Sequence, residues 1–123
     1  MPSILVADDD GRVRRFLRTV LEGGGHKVWE ASNGKEAKAL IFRTKFDVVI
    51  IDLAMPEGEG LETIQALRKE HPDLRMIAIS GSIPAVLRIA ERLGAKASLS
   101  KPFSAETVLE TVQRVLGIAK PCP

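Results

Sequence analysis

Asp47-Val48-Val49-Ile50-Ile51-Asp52 decides the fold, because four consecutive β-branched apolar residues stand there between two aspartates. A run that is apolar at every position has no solvent face, so it suits a central strand of a parallel sheet covered on both sides. Moving outward, Met76-Ile77-Ala78-Ile79-Ser80 and Ile4-Leu5-Val6-Ala7 repeat the pattern, and Ala97-Ser98-Leu99-Ser100 is a shorter version of it. Lys27-Val28-Trp29-Glu30-Ala31 is polar enough to lie at a sheet edge. Between these runs the period changes to that of a helix. Val13, Phe16, Leu17, Val20 and Leu21 form one stripe, as do Ala37, Leu40 and Ile41, then Leu61, Ile64 and Leu67. Val86, Ile89, Ala90 and Leu93 make a fourth, and Val108, Val112, Val115 and Leu116 a fifth.

The punctuation agrees with this division. Gly23-Gly24-Gly25 stops the first helix, Asn33-Gly34 turns into the second, and His71-Pro72 ends the third. Gly94 stops the fourth helix, and Ser104 is a good N-cap for the last. Five strand–helix pairs in strict alternation predict an open, doubly wound α/β sheet with helices on both faces. They are too few for an eight-stranded barrel. No internal repeat suggests a solenoid.

With 123 residues the chain has room for one domain, and its single cysteine, Cys122, excludes an internal disulfide. That cysteine usage suits a reducing, cytoplasmic setting. No stretch reaches the length of a membrane helix, and the first apolar run stops at Asp8, too soon for a signal peptide. Net charge is +2, and the basic group Arg12, Arg14, Arg15 and Arg18 sits beside Asp8, Asp9 and Asp10. Neither a nucleic acid nor a membrane is an expected direct partner.

In a parallel sheet all strand carboxyl ends lie on one edge, where open α/β sheets bind ligands. Asp8 and Asp9 follow the first strand, Asp52 and Ser80 end the third and fourth, and Lys101 follows the fifth. Three carboxylates gathered there repel one another, by about 4 kcal/mol per pair at 4 Å and an effective dielectric near 20. One lysine cannot balance them, so either a pKa rises or a cation binds. Oxygen ligands without nearby His or Cys suit Mg²⁺ (or Mn²⁺) rather than zinc. With a hard cation present, Asp52 can attack phosphorus and become an aspartyl phosphate. Lys101 and the Ser80 hydroxyl would meet the phosphoryl oxygens, and no obvious general base accompanies them.

The segments Ile4-Leu5-Val6-Ala7-Asp8-Asp9-Asp10, Ile51-Asp52-Leu53-Ala54-Met55-Pro56 and Ser100-Lys101-Pro102-Phe103 together resemble the receiver domain of two-component response regulators, in the manner of stand-alone chemotaxis regulators. Gly60 and Gly94-Ala95 match as well. The resemblance spans essentially the whole chain. It implies a flavodoxin-like five-stranded sheet of order 2-1-3-4-5, with residues 1–117 as the receiver and 118–123 as a tail. It implies Asp52 as phosphoacceptor, Asp8, Asp9, Asp52 and the Ala54 carbonyl around the metal, and Ser80 and Lys101 on the phosphoryl group. A histidine kinase or histidine phosphotransfer protein would donate, and a downstream protein would read the result. Such a domain promotes its own phosphorylation and dephosphorylation but is not an enzyme for other substrates. The Lys101-Pro102 peptide is usually cis in the family. The chain reads as a stand-alone receiver, which Met1 as an initiator would fit, or as an excised N-terminal module.

Three positions depart from the family. Ser98 stands where a Tyr or Phe commonly swings inward as the Ser80-type hydroxyl moves, so helix four and strand five are expected to respond differently. Ala54 and Ser82 occupy positions that modulate dephosphorylation; both are small and neutral, favouring a long-lived phosphoryl group. Other residues have plainer readings: Asp10 caps the first helix, Trp29 packs, and His26 and His71 are solvated surface histidines. Arg14, Arg15 and Arg18 face either a kinase or only water. The competing function is a degenerate receiver that binds a protein partner without phosphorylation. A flavin carrier or aspartate-nucleophile phosphatase fits worse, since Asp8-Asp9-Asp10-Gly11 would repel a flavin phosphate and Ala54 replaces the phosphatase's second acid.

Overall fold

The computed structural model describes residues 2–53, 59–81 and 84–117. Ten elements alternate along the chain: β1 (Ser3–Ala7), α1 (Gly11–Gly23), β2 (Lys27–Ala31), α2 (Gly34–Arg43), β3 (Val48–Asp52), α3 (Glu59–Glu70), β4 (Arg75–Ser80), α4 (Pro84–Leu93), β5 (Ala97–Ser100) and α5 (Ala105–Leu116). The five strands form one sheet, β2-β1-β3-β4-β5, and every neighbouring pair is parallel. This is the flavodoxin-like order, with the crossover between the β2-β1 and β3-β4-β5 halves beside the ends of β1 and β3.

The central strand behaves as its composition requires, with all five residues of β3 buried. Alternate side chains serve opposite faces of the sheet. Leu5, Val49, Ile51 and Met76 join Ala37 and Ile41 of α2, Ile64 and Leu67 of α3, and Leu87 and Ala90 of α4 in one core. Ile4, Val6, Val48, Ile50, Ile77 and Ile79 join Leu17 and Leu21 of α1 and Val108 and Val112 of α5 in a second core on the other side. The register that aligns Ile4 with Val48 and Val49 with Met76 keeps both sets facing inward.

Local chemistry fixes the helix starts. The Asp10 carboxylate accepts the Arg12 N–H at 2.9 Å and the Asn33 side chain accepts the Glu36 N–H at 2.8 Å. Glu36 reaches back to the Ser32 N–H at 2.7 Å, a reciprocal arrangement at the same helix end. Ser104 Oγ accepts the Thr107 N–H at 3.1 Å. Each such cap contributes about 1 kcal/mol.

Three side chains differ from the sequence expectation. In α4 the buried positions are Leu87 and Ala90, with Val86 and Leu93 packed partly buried against the same core, whereas Ile89 is 45% exposed. Phe16 is half exposed and leans on Phe103, with ring centroids 6.0 Å apart. His26 is buried, not solvated. Gly25, at φ +89, turns the chain back so sharply that the His26 N–H bonds to the Leu21 carbonyl at 3.0 Å, and the ring is carried inward. Its Nδ1 has no hydrogen-bond partner among the described residues, and burial lowers its pKa below 6.5.

Candidate functional site

Each acidic or basic group that the sequence places at a strand end is found at the same edge of the sheet. Asp52 closes β3 and Ser80 closes β4, while Asp8 and Asp9 follow β1 and Lys101 follows β5. Asp8, Asp52 and Ser80 are buried, Asp9 is exposed and Lys101 is half-buried. Carboxylate oxygens from Asp8, Asp9 and Asp52 lie within 4.8 Å of one another. Lys101 Nζ donates to Asp52 Oδ2 at 3.0 Å and pairs with Asp8 Oδ2 at 3.3 Å.

The backbone holds these groups in place. The Lys101 N–H bonds to the Ser80 carbonyl at 2.8 Å and the Leu53 N–H to the Ile79 carbonyl at 2.8 Å, so β3, β4 and β5 end in register. The Lys101-Pro102 peptide is cis. Asp8 Oδ1 accepts the Asp10 N–H at 2.8 Å, so the loop after β1 fastens that carboxylate from one side. Arg14 Nη1 donates to the Asp8 carbonyl at 2.6 Å while its Nε reaches Glu30 at 3.1 Å. Arg18 also binds Glu30, at 2.7 Å. Two of the four arginines on α1, Arg14 and Arg18, are therefore tied to β2. Arg14 is a positioning residue that sequence reading left unresolved, because its partner Glu30 lies on another element. Gly81 leaves its space to the Lys101 stem, whose Cβ would be 3.3 Å from a side chain there.

Charge does not balance within the cluster. Burial pushes the Asp8 carboxyl up to about 6; the Asp10 N–H opposes this, Asp52 adds to it and Lys101 opposes it. Burial works against the Lys101 ammonium, but Asp52 and then Asp8 outweigh it and hold its pKa above the ordinary value. Three carboxylates against one ammonium leave an excess of two negative charges when all are ionised. Asp8 Oδ2 makes no hydrogen bond among the described residues, and Lys101 is its charged neighbour. A buried oxygen so placed, beside two more carboxylates and no nitrogen or sulfur ligand, fits a hard divalent cation such as Mg²⁺ or Mn²⁺.

Ala54 and Ser82 lie outside the described residues, as does the 118–123 tail. Ser98 is half-buried on β5, and its Oγ donates to Glu91 Oε2 on α4 at 2.5 Å. His71 is half-buried, away from the cluster. Trp29 packs edge-on against Phe46, with centroids 5.5 Å apart.

Residues 4–113 match the family described as the response regulator receiver domain. Among curated proteins, the chain is 35% identical over 121 residues to the DNA-binding transcriptional regulator NtrC of Azospirillum brasilense, covering 97% of this chain and 25% of that protein. It is 38% identical over 104 residues to the KDP operon transcriptional regulatory protein KdpE of Escherichia coli (strain K12), covering 84% and 46%. The chain thus spans a quarter to about half of these relatives. Among solved structures, a CheY-like response regulator receiver domain protein from Methanospirillum hungatei JF-1 superposes with a TM-score of 0.89 at 26% identity, covering 95% of this chain and 94% of that one. The chemotaxis response regulator CheY4 of Vibrio cholerae gives a TM-score of 0.86 at 32% identity, covering 94% and 98%.

Proposed function

The chain belongs to the response regulator receiver domain family, and on that premise we propose that it is a phosphorylation-dependent signalling switch with Asp52 as its phosphoacceptor. The observation that carries the reading is the meeting of Asp8, Asp9, Asp52 and Lys101 at one sheet edge, with Lys101 on the Asp52 carboxylate. An Asp52 oxygen attacks phosphorus of a phosphohistidine on a histidine kinase or phosphotransfer protein. The new O–P bond forms as the P–N bond breaks, and the electron pair leaves with the imidazole. Lys101 neutralises one phosphoryl oxygen and the Ser80 hydroxyl donates to another. Asp8, Asp9, Asp52 and the Ala54 carbonyl would hold Mg²⁺ (or Mn²⁺), which supplies further charge neutralisation on the phosphoryl oxygens when bound. Positioning and charge carry most of this reaction, so a separate base is not needed.

The receiver unit runs over residues 1–117 and works in the cytoplasm on a downstream protein, without touching nucleic acid itself. Among the described residues no helix is long and apolar enough to cross a membrane. The groove between Phe16 and Phe103, beside Lys101, gives the donor protein an apolar seat next to the acceptor. Ser98 offers α4 a hydrogen bond in place of a ring, so α4 and β5 report phosphorylation through polar contacts.

Incubation with acetyl phosphate and Mg²⁺, followed by intact mass, tests the assignment. One phosphoryl group should be gained by the parent chain and none by Asp52→Asn. A parent that gains nothing would leave only a phosphorylation-independent binding module, and an Asp52→Asn variant that still gains one would remove Asp52 as the acceptor.

A further inference from the structure

The opposite end of the sheet carries a feature that the phosphoryl chemistry does not use. Phe42, on the last turn of α2, is 86% exposed, against 40% for Phe16 and 45% for Ile89. Beside it runs a groove of about 570 Å³ between the α2–β3 and α3–β4 connections, with Phe46 and Leu74 among its lining. Arg43 and Lys45 flank the groove on one side, Glu70 and Asp73 on the other. None of these four makes a salt bridge or side-chain hydrogen bond among the described residues.

A projecting aromatic side chain, an apolar recess and rims of both signs therefore share one patch. A nucleic acid or an anionic lipid surface would be drawn to Arg43 and Lys45 but repelled by Glu70 and Asp73. An acidic peptide meets the same conflict. A copy of the chain rotated by a two-fold axis meets neither, because an isologous contact sets residue i of one copy against residue j of the other and j against i, which lets a basic rim meet an acidic one twice. Phe42 of one copy then enters the recess of the other, and each basic rim faces an acidic one.

We propose that this face is a two-fold docking site for a second copy of the chain. The contact is small and its charges stay near water, so association is weak and salt-sensitive. It involves neither Asp8, Asp52 nor Lys101, and it stands or falls independently of the phosphoryl chemistry.

Sedimentation velocity of the full chain, from about 10 μM to about 1 mM, tests the proposal. The mass should rise from one chain toward two, and added salt should reverse the rise. Phe42→Glu should raise the dissociation constant at least about tenfold. A chain with Arg43→Glu and Lys45→Glu should be monomeric, as should a chain with Glu70→Lys and Asp73→Lys. An equal mixture of the two should form a heterodimer, because an all-acidic rim then faces an all-basic one. These positions are on the surface, and far-UV circular dichroism verifies each fold. A parent that stays monomeric throughout would overturn the proposal, whether or not it sediments with anionic vesicles or an acidic peptide. A dimer indifferent to Phe42→Glu, or a mixture that does not pair, would also overturn it.

Discussion

Gly60→Ala adds a methyl group where α3 begins under the end of β3. A Cβ there would lie 2.5 Å from Leu53 Cα, 2.8 Å from the Asp52 carbonyl oxygen and 3.1 Å from the Leu53 carbonyl carbon. All three are backbone atoms, so no rotamer change relieves the contact. Restoring an ordinary separation of about 3.5 Å requires α3 and β3 to part by about 1 Å. Overpacking of this kind costs about 1–3 kcal/mol, and rigid backbone on both sides points to the upper end. Helix propensity acts in the opposite sense, favouring alanine over glycine by about 1 kcal/mol. The net expectation is a loss of about 2 kcal/mol, or about 8 °C in Tm for a chain of this length. Gly23 is the control: it ends α1, and nothing lies within 4 Å of a Cβ built there. Gly23→Ala should be neutral or slightly stabilising. Urea unfolding followed through Trp29, the single tryptophan, reads both variants. The displaced strand end also carries Asp52, and a shift of 1 Å can slow a positioned reaction about 100-fold. Acetyl phosphate labelling of Gly60→Ala should therefore be slower by about 10–100-fold. A Gly60→Ala protein as stable as its parent would refute the steric reasoning and leave propensity in charge.

The remaining expectations concern single groups. Asp8 titrates near 6 in the fold against 3.8 in the unfolded chain, so the folded state holds an extra proton between those values. In chelator, stability should fall as pH rises through that window, by up to about 3 kcal/mol. Asp8→Asn should remove the loss, and Mg²⁺ at pH 7 should stabilise the parent but not this variant; equal urea midpoints for parent and variant at pH 7 in chelator would contradict this. His26 has the opposite sign: burial depresses its folded pKa, so its contribution is full above pH 6.5 and declines as pH falls toward the folded value. In an Asp8→Asn background, His26→Gln should flatten the acid side of the stability curve, and an unchanged slope would count against burial as the cause. Ser98→Ala removes the hydrogen bond to Glu91 at a cost of about 0.5–1 kcal/mol. Amide shifts with a phosphoryl analogue should be smaller around α4 and β5 than in aromatic-bearing relatives, and shifts of equal size would count against the polar readout.

The strands were legible because a buried parallel sheet needs uninterrupted apolar runs, and Val48 to Ile51 could satisfy little else. Asp8, Asp9, Asp52, Ser80 and Lys101 could be gathered on paper because parallel topology alone brings strand ends together. Distances that depend on third elements were not legible. Gly60 could be noticed as a recurrent residue, but its approach to Leu53 follows from how α3 meets β3. The pairing of Arg14 and Arg18 with Glu30 requires knowing that α1 lies along β2. His26 misled for a related reason: a polar ring beside three glycines reads as loop surface, whereas the positive φ at Gly25 folds it inward. Ile89 reads as part of the buried stripe but is exposed while Leu87 is buried, because a short helix leaves its stripe-edge positions open and only the surface it rests on chooses between them.

The sheet separates two cores that share backbone but almost no side-chain contacts, one beneath α2, α3 and α4 and the other beneath α1 and α5. Selection can therefore remodel one flank of the molecule while the other is left alone, with substitutions on opposite flanks combining nearly additively. On the proposed reading, a donor seated beside α1 and a readout through α4 fall on opposite flanks, so the two can diverge on separate evolutionary clocks, held to a common history by the few acids and the lysine along their shared seam.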